Sequence, residues 1–208
     1  MTEDRSAEEA TGGKKLHNKR TMHDDIKKAV EVLKSGGIIL YPTDTIWGIG
    51  CDATNAEAVK RIYDIKERED SKSMLVLMEN PALLDRYIAE VPEVAWDLVE
   101  VSTTPLTVIY PGAKNLAANL IAEDGSIGIR FTKEEFTRRL LQRFRRPIVS
   151  TSANKSGEKS SVFFDEISEE IKEAVDYIVE YRQDDRIPSE PSSVIKLGPG
   201  GQIEILRK

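Results

Sequence analysis

The polar residues that follow the first strong apolar run have types that could bind a small charged ligand. Residues 36–50 read GGIILYPTDTIWGIG, so the apolar run ends in hydroxyl groups and one carboxylate. In an extended segment, Thr43 and Thr45 point to one face and Asp44 points to the other. Two hydroxyls on one face could hold a carboxylate or an amine. The alternative is a turn in which Asp44 caps backbone N–H groups.

A second candidate segment, KEREDSK at residues 66–72, places three cations among acidic residues. Lys66, Arg68 and Lys72 could clamp a triphosphate, because Arg offers a bidentate fork and Lys a mobile point charge. Solvated cations at a helix C-terminus are the alternative, because positive charge is favourable at that end of a helix.

A third segment, SIGIRF at residues 126–131, has a period of two. The alternation places Ser126, Gly128 and Arg130 on one face and the isoleucines on the other. Small residues beside an arginine suggest a ligand that passes close to the backbone. The alternative is a strand-end arginine that is paired with a surface carboxylate.

A fourth segment, STSANKSG at residues 150–157, follows an apolar strand and is rich in hydroxyl and amide groups. Alternation puts Ser150, Ser152 and Asn154 on one side. These neutral groups both donate and accept hydrogen bonds, which suits a polar substrate or a ribose and phosphate. The alternative is a plain flexible loop, although such a loop need not follow a buried strand.

A fifth stretch, EPSSVIKL, brings Ser192 and Ser193 to the start of a predicted strand, and Arg207 lies near the chain end. Together, the five segments describe strand ends that carry Thr, Ser, Asn, Arg and Lys, without a His or Cys nucleophile. Such a site positions charged reactants and neutralises phosphate, which is the main demand of phosphoryl and nucleotidyl transfer.

Helices and strands interleave along the chain, which predicts an α/β fold with a twisted mixed sheet and flanking helices. The strand-rich last third argues against a pure Rossmann fold, and the sequence contains no Walker A motif. The predicted helices begin at Asp24 and Asn55 and cover 81–90, 92–101, 133–144 and 165–175. The predicted strands cover 38–41, 74–78, 105–111, 126–131, 146–154, 176–181, 192–197 and 202–207.

The composition limits the classes of protein that the chain could represent. The chain has 208 residues, of which 39% are hydrophobic, and its formal net charge of −6 argues against a protein that wraps nucleic acid. A single cysteine, Cys51, suits a reducing cytoplasm, and His17 and His23 give no basis for a metal site. No apolar run approaches the ~20 residues of a membrane span. We expect a disordered tail over 1–20 and one folded domain over 21–208.

The motifs together resemble those of the YrdC-like threonylcarbamoyl-AMP synthases. The matching features run in the family's order from Gly36 to Arg207. They are GIILYPTDTIWGIG, AVKRIYDIKER followed by Lys72, PLTVIYPG, SIGIR, PIVSTSANKSG and SSV. The resemblance implies a YrdC/RibB-like sheet with a large, positively lined cavity. It also implies synthesis of threonylcarbamoyl-AMP and pyrophosphate from L-threonine, bicarbonate and ATP, for the threonylcarbamoyladenosine modification of tRNA.

The resemblance also implies roles for individual residues. The implied threonine-binding residues are Thr43, Thr45, Arg130, Ser152, Ser192 and Ser193. The implied nucleotide-binding residues are Arg68, Lys72, Ser126, Ser150, Asn154, Ser160 and Arg207. The implied catalytic residues are Lys66, Arg68 and Lys72, without a protein metal site, and Mg²⁺ would arrive with ATP.

The resemblance implies protein partners in tRNA modification, with weak tRNA or double-stranded RNA binding and no membrane association. Two other functions use the same fold. One is an RNA-binding factor in tRNA or ribosome maturation, which the net charge and the lack of an aromatic-basic strip disfavour. The other is a sugar-phosphate lyase, which would need an acidic metal cluster.

Overall fold

The computed structural model describes residues 21–67 and 74–208, so the predicted tail over 1–20 lies outside the described residues. The strands are β1 (Ile39–Tyr41), β2 (Gly48–Gly50), β3 (Leu75–Met78), β4 (Leu106–Tyr110), β5 (Ile127–Phe131), β6 (Ile148–Ser152), β7 (Tyr177–Ile178), β8 (Ser193–Leu197) and β9 (Ile203–Arg207). The helices are α1 (21–34), α2 (Ala56–Lys66), α3 (Leu84–Tyr87), α4 (Glu93–Val101), α5 (Glu135–Phe144) and α6 (Glu169–Ala174). Short 3₁₀ turns occupy Pro81–Leu83, Ala118–Leu120 and Phe164–Glu166.

The strands form one nine-stranded sheet in the order β7-β1-β2-β6-β3-β5-β4-β8-β9. The pairs β1–β7, β3–β5 and β4–β8 are parallel, and the remaining neighbours are antiparallel. Helices pack against both faces of this sheet. The prediction of an α/β fold with a mixed sheet and flanking helices is therefore confirmed.

The first helix extends beyond its predicted start. Residues 21–34 are helical, so Asp24 lies inside α1 and the prediction that the helix begins at Asp24 is wrong. Met22 is buried together with Ile26 and Leu33. These residues recur at helical spacing, so burial of one more apolar side chain favours the additional turn.

The second helix begins where the sequence predicts. The side chain of Asn55 accepts hydrogen bonds from two backbone N–H groups of the first turn, at 3.1 and 3.2 Å. An Asn at this position satisfies donors that have no partner within the helix. Val59, Ile62 and Tyr63 are buried as predicted. Helix α2 ends at Lys66, and the backbone of Glu67, which follows it, is left-handed with φ of 48°. The start and the apolar face of α2 thus follow from local chemistry.

Helices cover the two faces of the sheet unequally. One face packs against α2, α3, α4 and α6 through a large apolar cluster that includes residues from β1 to β6 and β8. The other face packs against α1 and α5 through a smaller cluster, whose strand residues come from β1, β3 and β6. Within the described residues, no side chain of β4, β8 or β9 joins this smaller cluster. The part of the second face formed by β4, β8 and β9 is therefore not covered by the apolar cluster of α1 and α5.

Strand β2 is absent from the sequence-based prediction. Two of its three residues are glycines, which are depleted in strands, so local pattern did not reveal it. It pairs with β1 and with β6 in antiparallel register, with Gly48 opposite both Tyr41 and Ser152. The YPTDT segment is consequently the connection of a hairpin, and this hairpin lies beside the C-terminal end of β6.

We expect Gly50→Ala to destabilise the sheet. An added Cβ would overlap the Val149 carbonyl oxygen and lie 2.9 Å from the Tyr41 ring. Overpacking of this kind lowers the free energy of unfolding by about 1–3 kcal/mol, which urea denaturation would measure. The matched control is Gly200→Ala, where the added Cβ meets the flexible end of Gln202, and a change within about 0.5 kcal/mol is expected. Equal effects of the two substitutions would contradict the packing described for β2.

Candidate functional site

A cavity of about 380 Å³ lies on the sheet face that α1 and α5 cover only in part. The strand register explains its floor, because Gly128 lies opposite Leu75 and Ile109, and all three line the cavity. The predicted site residues that line it are Thr43, Thr45, Arg130, Ser150, Ser152, Ser160, Ser192 and Arg207. The fold therefore brings together residues from all but one of the five segments singled out in the sequence.

The hairpin loop between β1 and β2 supplies two hydroxyl groups to the cavity. The Thr43 and Thr45 hydroxyl oxygens are 3.0 Å apart, and the Thr43 hydroxyl donates to the Ile46 carbonyl at 2.7 Å. The Thr45 backbone N–H donates to the Thr43 hydroxyl at 3.0 Å. The two threonines thus share one side of the loop, as alternation predicts, and Thr43 fixes the turn that presents Thr45.

The loop backbone is held by side chains from outside the hairpin. The Thr137 hydroxyl of α5 donates to the Pro42 carbonyl at 3.1 Å. The Arg182 guanidinium donates to the Thr43 carbonyl at 3.2 Å, and the Ser189 hydroxyl donates to the Thr45 carbonyl. Three backbone carbonyls of the loop, those of Pro42, Thr43 and Thr45, are therefore anchored, which limits the movement of the loop.

Asp44 points to the other side of the loop and meets Arg130. The Asp44 Oδ1 and Arg130 Nη2 atoms are 3.1 Å apart, and their side chains are 12% and 5% exposed. Burial raises the pKa of Asp44, whereas the positive charges of Arg130 and Arg182 oppose the rise. The pairing predicted as one alternative for Arg130 thus exists, but its carboxylate is buried and not on the surface.

The starts of β4 and β8 and the end of β9 complete the far wall of the cavity. Thr107 lies opposite both Arg130 and Val194 in the sheet, and Val194 lies opposite Arg207. The Thr107 and Ser192 hydroxyls are 2.8 Å apart, and the Arg207 Nε–H donates to the Ser192 carbonyl at 2.9 Å. This network orients hydroxyl groups and one guanidinium along the wall.

The STSAN segment, residues 150–154, is tied to the end of α2 by a buried lysine. The Lys66 ammonium donates to the Ser152 carbonyl at 2.7 Å and to the Asn154 carbonyl at 2.5 Å. The Ser156 N–H in turn donates to the Lys66 carbonyl at 2.9 Å. Lys155 extends the link, because its ammonium lies 2.6 Å from the Glu67 carboxylate. The end of α2 and the loop after β6 are thus joined through both side chains and backbone.

Some predicted site residues lie away from the cavity lining. Lys66 directs its ammonium to the two backbone carbonyls, and the Asn154 amide donates to the carbonyls of Lys155 and Glu158. The Ser126 hydroxyl donates to Asp124 at 2.5 Å, and hydrogen bonds from Lys196 and Ser126 lower the Asp124 pKa to about 2. Ser193 also does not line the cavity, and Arg68 and Lys72 lie outside the described residues.

Thr107 and Trp47 are among the lining residues that the sequence pattern did not indicate. Thr107 contributes a hydroxyl from the middle of the cavity wall, and Trp47 borders the hairpin loop. Thr107 could have been recognised as a site residue because its hydroxyl interrupts the apolar residues of the predicted strand PLTVIY. Its partner Ser192 is distant in the chain, so no local pattern connects the two.

The charged groups of the lining favour anions. Among the described lining residues, Arg130 and Arg207 are charged, and no Asp or Glu contributes. Within residues 21–67 and 74–208, no three His, Cys, Asp or Glu side chains are arranged to hold a metal ion. None of the helices in that part of the chain has the length and apolar character needed to cross a bilayer.

Comparisons with known proteins identify the family of the chain. A family model for Sua5, YciO and YrdC proteins, described as telomere recombination, matches residues 31–208. A threonylcarbamoyl-AMP synthase of Pseudoalteromonas translucida is 34% identical over 158 residues, which cover 74% of this chain and 84% of the relative. The chain therefore belongs to the Sua5/YciO/YrdC family, as its motifs predict.

Solved structures of the family share the fold. Escherichia coli YciO has a TM-score of 0.76 at 26% identity, and the match covers 88% of each chain. P. abyssi Sua5 complexed with L-threonine has a TM-score of 0.76 at 27% identity. This match covers 83% of the present chain and 50% of that Sua5 chain, so the present chain spans about half of the Sua5 protein.

We expect Lys66→Met to loosen the link between α2 and the STSAN segment. Met keeps an apolar stem but cannot donate to the Ser152 and Asn154 carbonyls, so the free energy of unfolding should fall by about 1.5–3 kcal/mol. Hydrogen exchange in residues 152–156 should rise. The control is Lys60→Met on the same helix, where an exposed pair with Asp64 is lost and the cost is at most about 1 kcal/mol. Equal destabilisation of the two variants would count against this role of Lys66.

Proposed function

We propose that the chain is an L-threonylcarbamoyl-AMP synthase, which forms threonylcarbamoyl-AMP and pyrophosphate from L-threonine, bicarbonate and ATP. The observation that carries the proposal is the convergence of Thr45, Arg130, Ser152 and Ser192 on one cavity without acidic residues in its described lining. The name of the P. translucida relative and the L-threonine complex of P. abyssi Sua5 support the same activity.

The amino-acid substrate would bind between the hairpin loop and the far wall. Arg130 would meet the threonine carboxylate, because a guanidinium is suited to a planar anion. The Thr45 hydroxyl would contact threonine from the loop, while Thr43 holds the turn. Ser152 and Ser192 line the same cavity and would provide further hydrogen bonds to the amino acid. The substrate would thus be fixed by neutral hydroxyls around one cation.

The nucleotide would bind at the side of the cavity near the end of α2. Met74, which follows the 68–73 segment, lines the cavity. Glu67, which precedes that segment, is joined to Lys155 in the loop after β6, the strand that contributes Ser150 and Ser152 to the cavity. On this basis we assign Arg68 and Lys72 to the ATP phosphates. Further nucleotide contacts are assigned to Ser150, Ser160 and Arg207, which line the cavity. The side chains of Ser126 and Asn154 bond to Asp124 and to backbone carbonyls outside the lining, so we do not assign them to the nucleotide. ATP would enter as its Mg²⁺ complex, and the metal would neutralise phosphate charge as part of the substrate.

The proposed reaction needs no nucleophilic side chain. The threonine amine would combine with bicarbonate to give a carbamate and water. A carbamate oxygen would then attack the α-phosphorus of ATP, and the bond to the β,γ-phosphates would break with release of pyrophosphate. The protein would contribute orientation of two anionic reactants and electrostatic stabilisation of phosphate. We therefore class the enzyme as a nucleotidyltransferase.

The product is an activated acyl group whose use requires further partners. We propose transfer to tRNA by partner proteins of tRNA modification, in the cytoplasm. We expect weak binding of tRNA or double-stranded RNA by this chain alone, because a net charge of −6 disfavours contact with a polyanion. Filter binding with tRNA tests this directly. Tight binding without turnover of ATP would favour the RNA-binding function instead.

The proposed activity is tested by omitting one substrate at a time. Pyrophosphate should form from ATP only when L-threonine and bicarbonate are both present. Pyrophosphate release that does not depend on threonine would contradict the proposal.

We expect Thr45→Val to raise the KM for threonine about tenfold, because it removes one hydrogen bond to the substrate. The KM for ATP should change by less than about twofold. The control is Thr54→Val, which removes a hydroxyl that donates to Asp52 and does not line the cavity. Unchanged threonine kinetics in Thr45→Val would show that the assignment of Thr45 is wrong.

A further inference from the structure

The Asp44–Arg130 ion pair stands between two cavities. Arg130 lines the substrate cavity, whereas Asp44 lines a second cavity of about 840 Å³ on the other side of the hairpin loop. The proposed reaction uses Arg130 directly and gives no role to Asp44. The proposed reaction therefore does not explain why a buried carboxylate lies beside Arg130.

The guanidinium of Arg130 has donors that the ion pair does not use. A guanidinium carries five N–H donors, and the contact with Asp44 is made through Nη2. The Arg130 Nε–H and the Asp44 Oδ1 atom are both buried without a hydrogen-bond partner, so the 3.1 Å contact between the two side chains is an ion pair that lacks hydrogen-bond geometry. Leaving a buried donor unsatisfied is costly, so a second anion beside Arg130 would be favoured. A carboxylate in the cavity has the charge and the planar shape to accept from these donors.

Asp44 is fixed in place by the residues on either side of it. The Thr43 carbonyl accepts from Arg182 and the Thr45 carbonyl accepts from Ser189, so the backbone around Asp44 is anchored at both sides. The carboxylate therefore meets Arg130 from a rigid loop. An arginine that binds a planar anion depends on the orientation of its fork, and a fixed partner restricts that orientation.

We propose that Asp44 is a positioning residue that orients Arg130, so that the unused guanidinium donors receive the substrate carboxylate. The pair would select free α-amino acids over analogues that lack a carboxylate. This inference rests on the proposed function, because it takes threonine as the occupant of the cavity. It also explains the arrangement of the PTDT segment, which sends its hydroxyls to the substrate and its carboxylate to the arginine behind it.

The test compares binding of L-threonine and L-threoninol, which lacks the carboxylate, by calorimetry without ATP. Wild type should prefer threonine. In Asp44→Asn the threonine affinity should fall about tenfold, the loss expected for one charge-assisted contact, whereas the threoninol affinity should stay within about twofold. The control is Asp52→Asn, another buried carboxylate paired with an arginine, Arg146, at 2.7 Å but outside the cavity lining. It should leave both affinities unchanged.

The outcomes separate this inference from the proposed function. If wild type binds no threonine, the proposed function fails and the inference fails with it. If wild type binds threonine and Asp44→Asn binds it equally well, only the role of Asp44 is overturned. An equal loss of affinity for threonine and threoninol would also overturn it, because that result would indicate a general loss of loop structure.

A measurement on the wild-type protein keeps the inference testable if Asp44→Asn does not fold. The Arg130 Nε–H resonance can be assigned by its loss in Arg130→Lys. Added L-threonine should shift this resonance, and L-threoninol should shift it much less. Equal shifts with the two ligands, or no shift with threonine, would overturn the inference.

Discussion

The cavity depends on a sheet face that helices cover only in part. Where α1 and α5 pack, β1, β3 and β6 bury apolar side chains, but β4, β5 and β8 present Thr107, Gly128 and Val194 to the cavity. Buried polar side chains on such a face need hydrogen-bond partners, and within the described residues strands and loops supply those of the cavity hydroxyls. The Thr43–Thr45 and Thr107–Ser192 contacts do this for the hydroxyls. The Asp44–Arg130 ion pair neutralises the charges of both side chains but leaves the Arg130 Nε–H without a hydrogen-bond partner.

The second constraint is the connection between α2 and the loop after β6. A buried ammonium is expensive unless hydrogen bonds satisfy it, and Lys66 meets this requirement with two backbone carbonyls. The same contacts fix the end of the helix from which residues 68–73 continue. A lysine assigned from sequence to the phosphates therefore joins the end of α2 to the loop after β6.

Sequence pattern was sufficient for most elements and for the faces of the main strands. Apolar runs located the strands, and the alternation rule correctly separated Asp44 from Thr43 and Thr45. Strand β2 was missed because glycines carry no strand signal, and the start of α1 was misplaced because Asp24 resembles a cap although burial of Met22 extends the helix. The sequence pattern could also not predict the partners of Lys66 and Arg130. They are backbone carbonyls and a carboxylate that only the fold brings close, and local spacing holds no information on them.

The family places this cavity among proteins named for threonylcarbamoyl-AMP synthesis, and its geometry suits two anionic reactants that must meet. The most direct measurement is mass spectrometry of the product formed from ATP, L-threonine and ¹³C-bicarbonate. The account predicts an adduct that contains AMP and threonine and gains one mass unit from the labelled carbon. Consumption of ATP without a labelled adduct, under conditions in which threonine is bound, would contradict it.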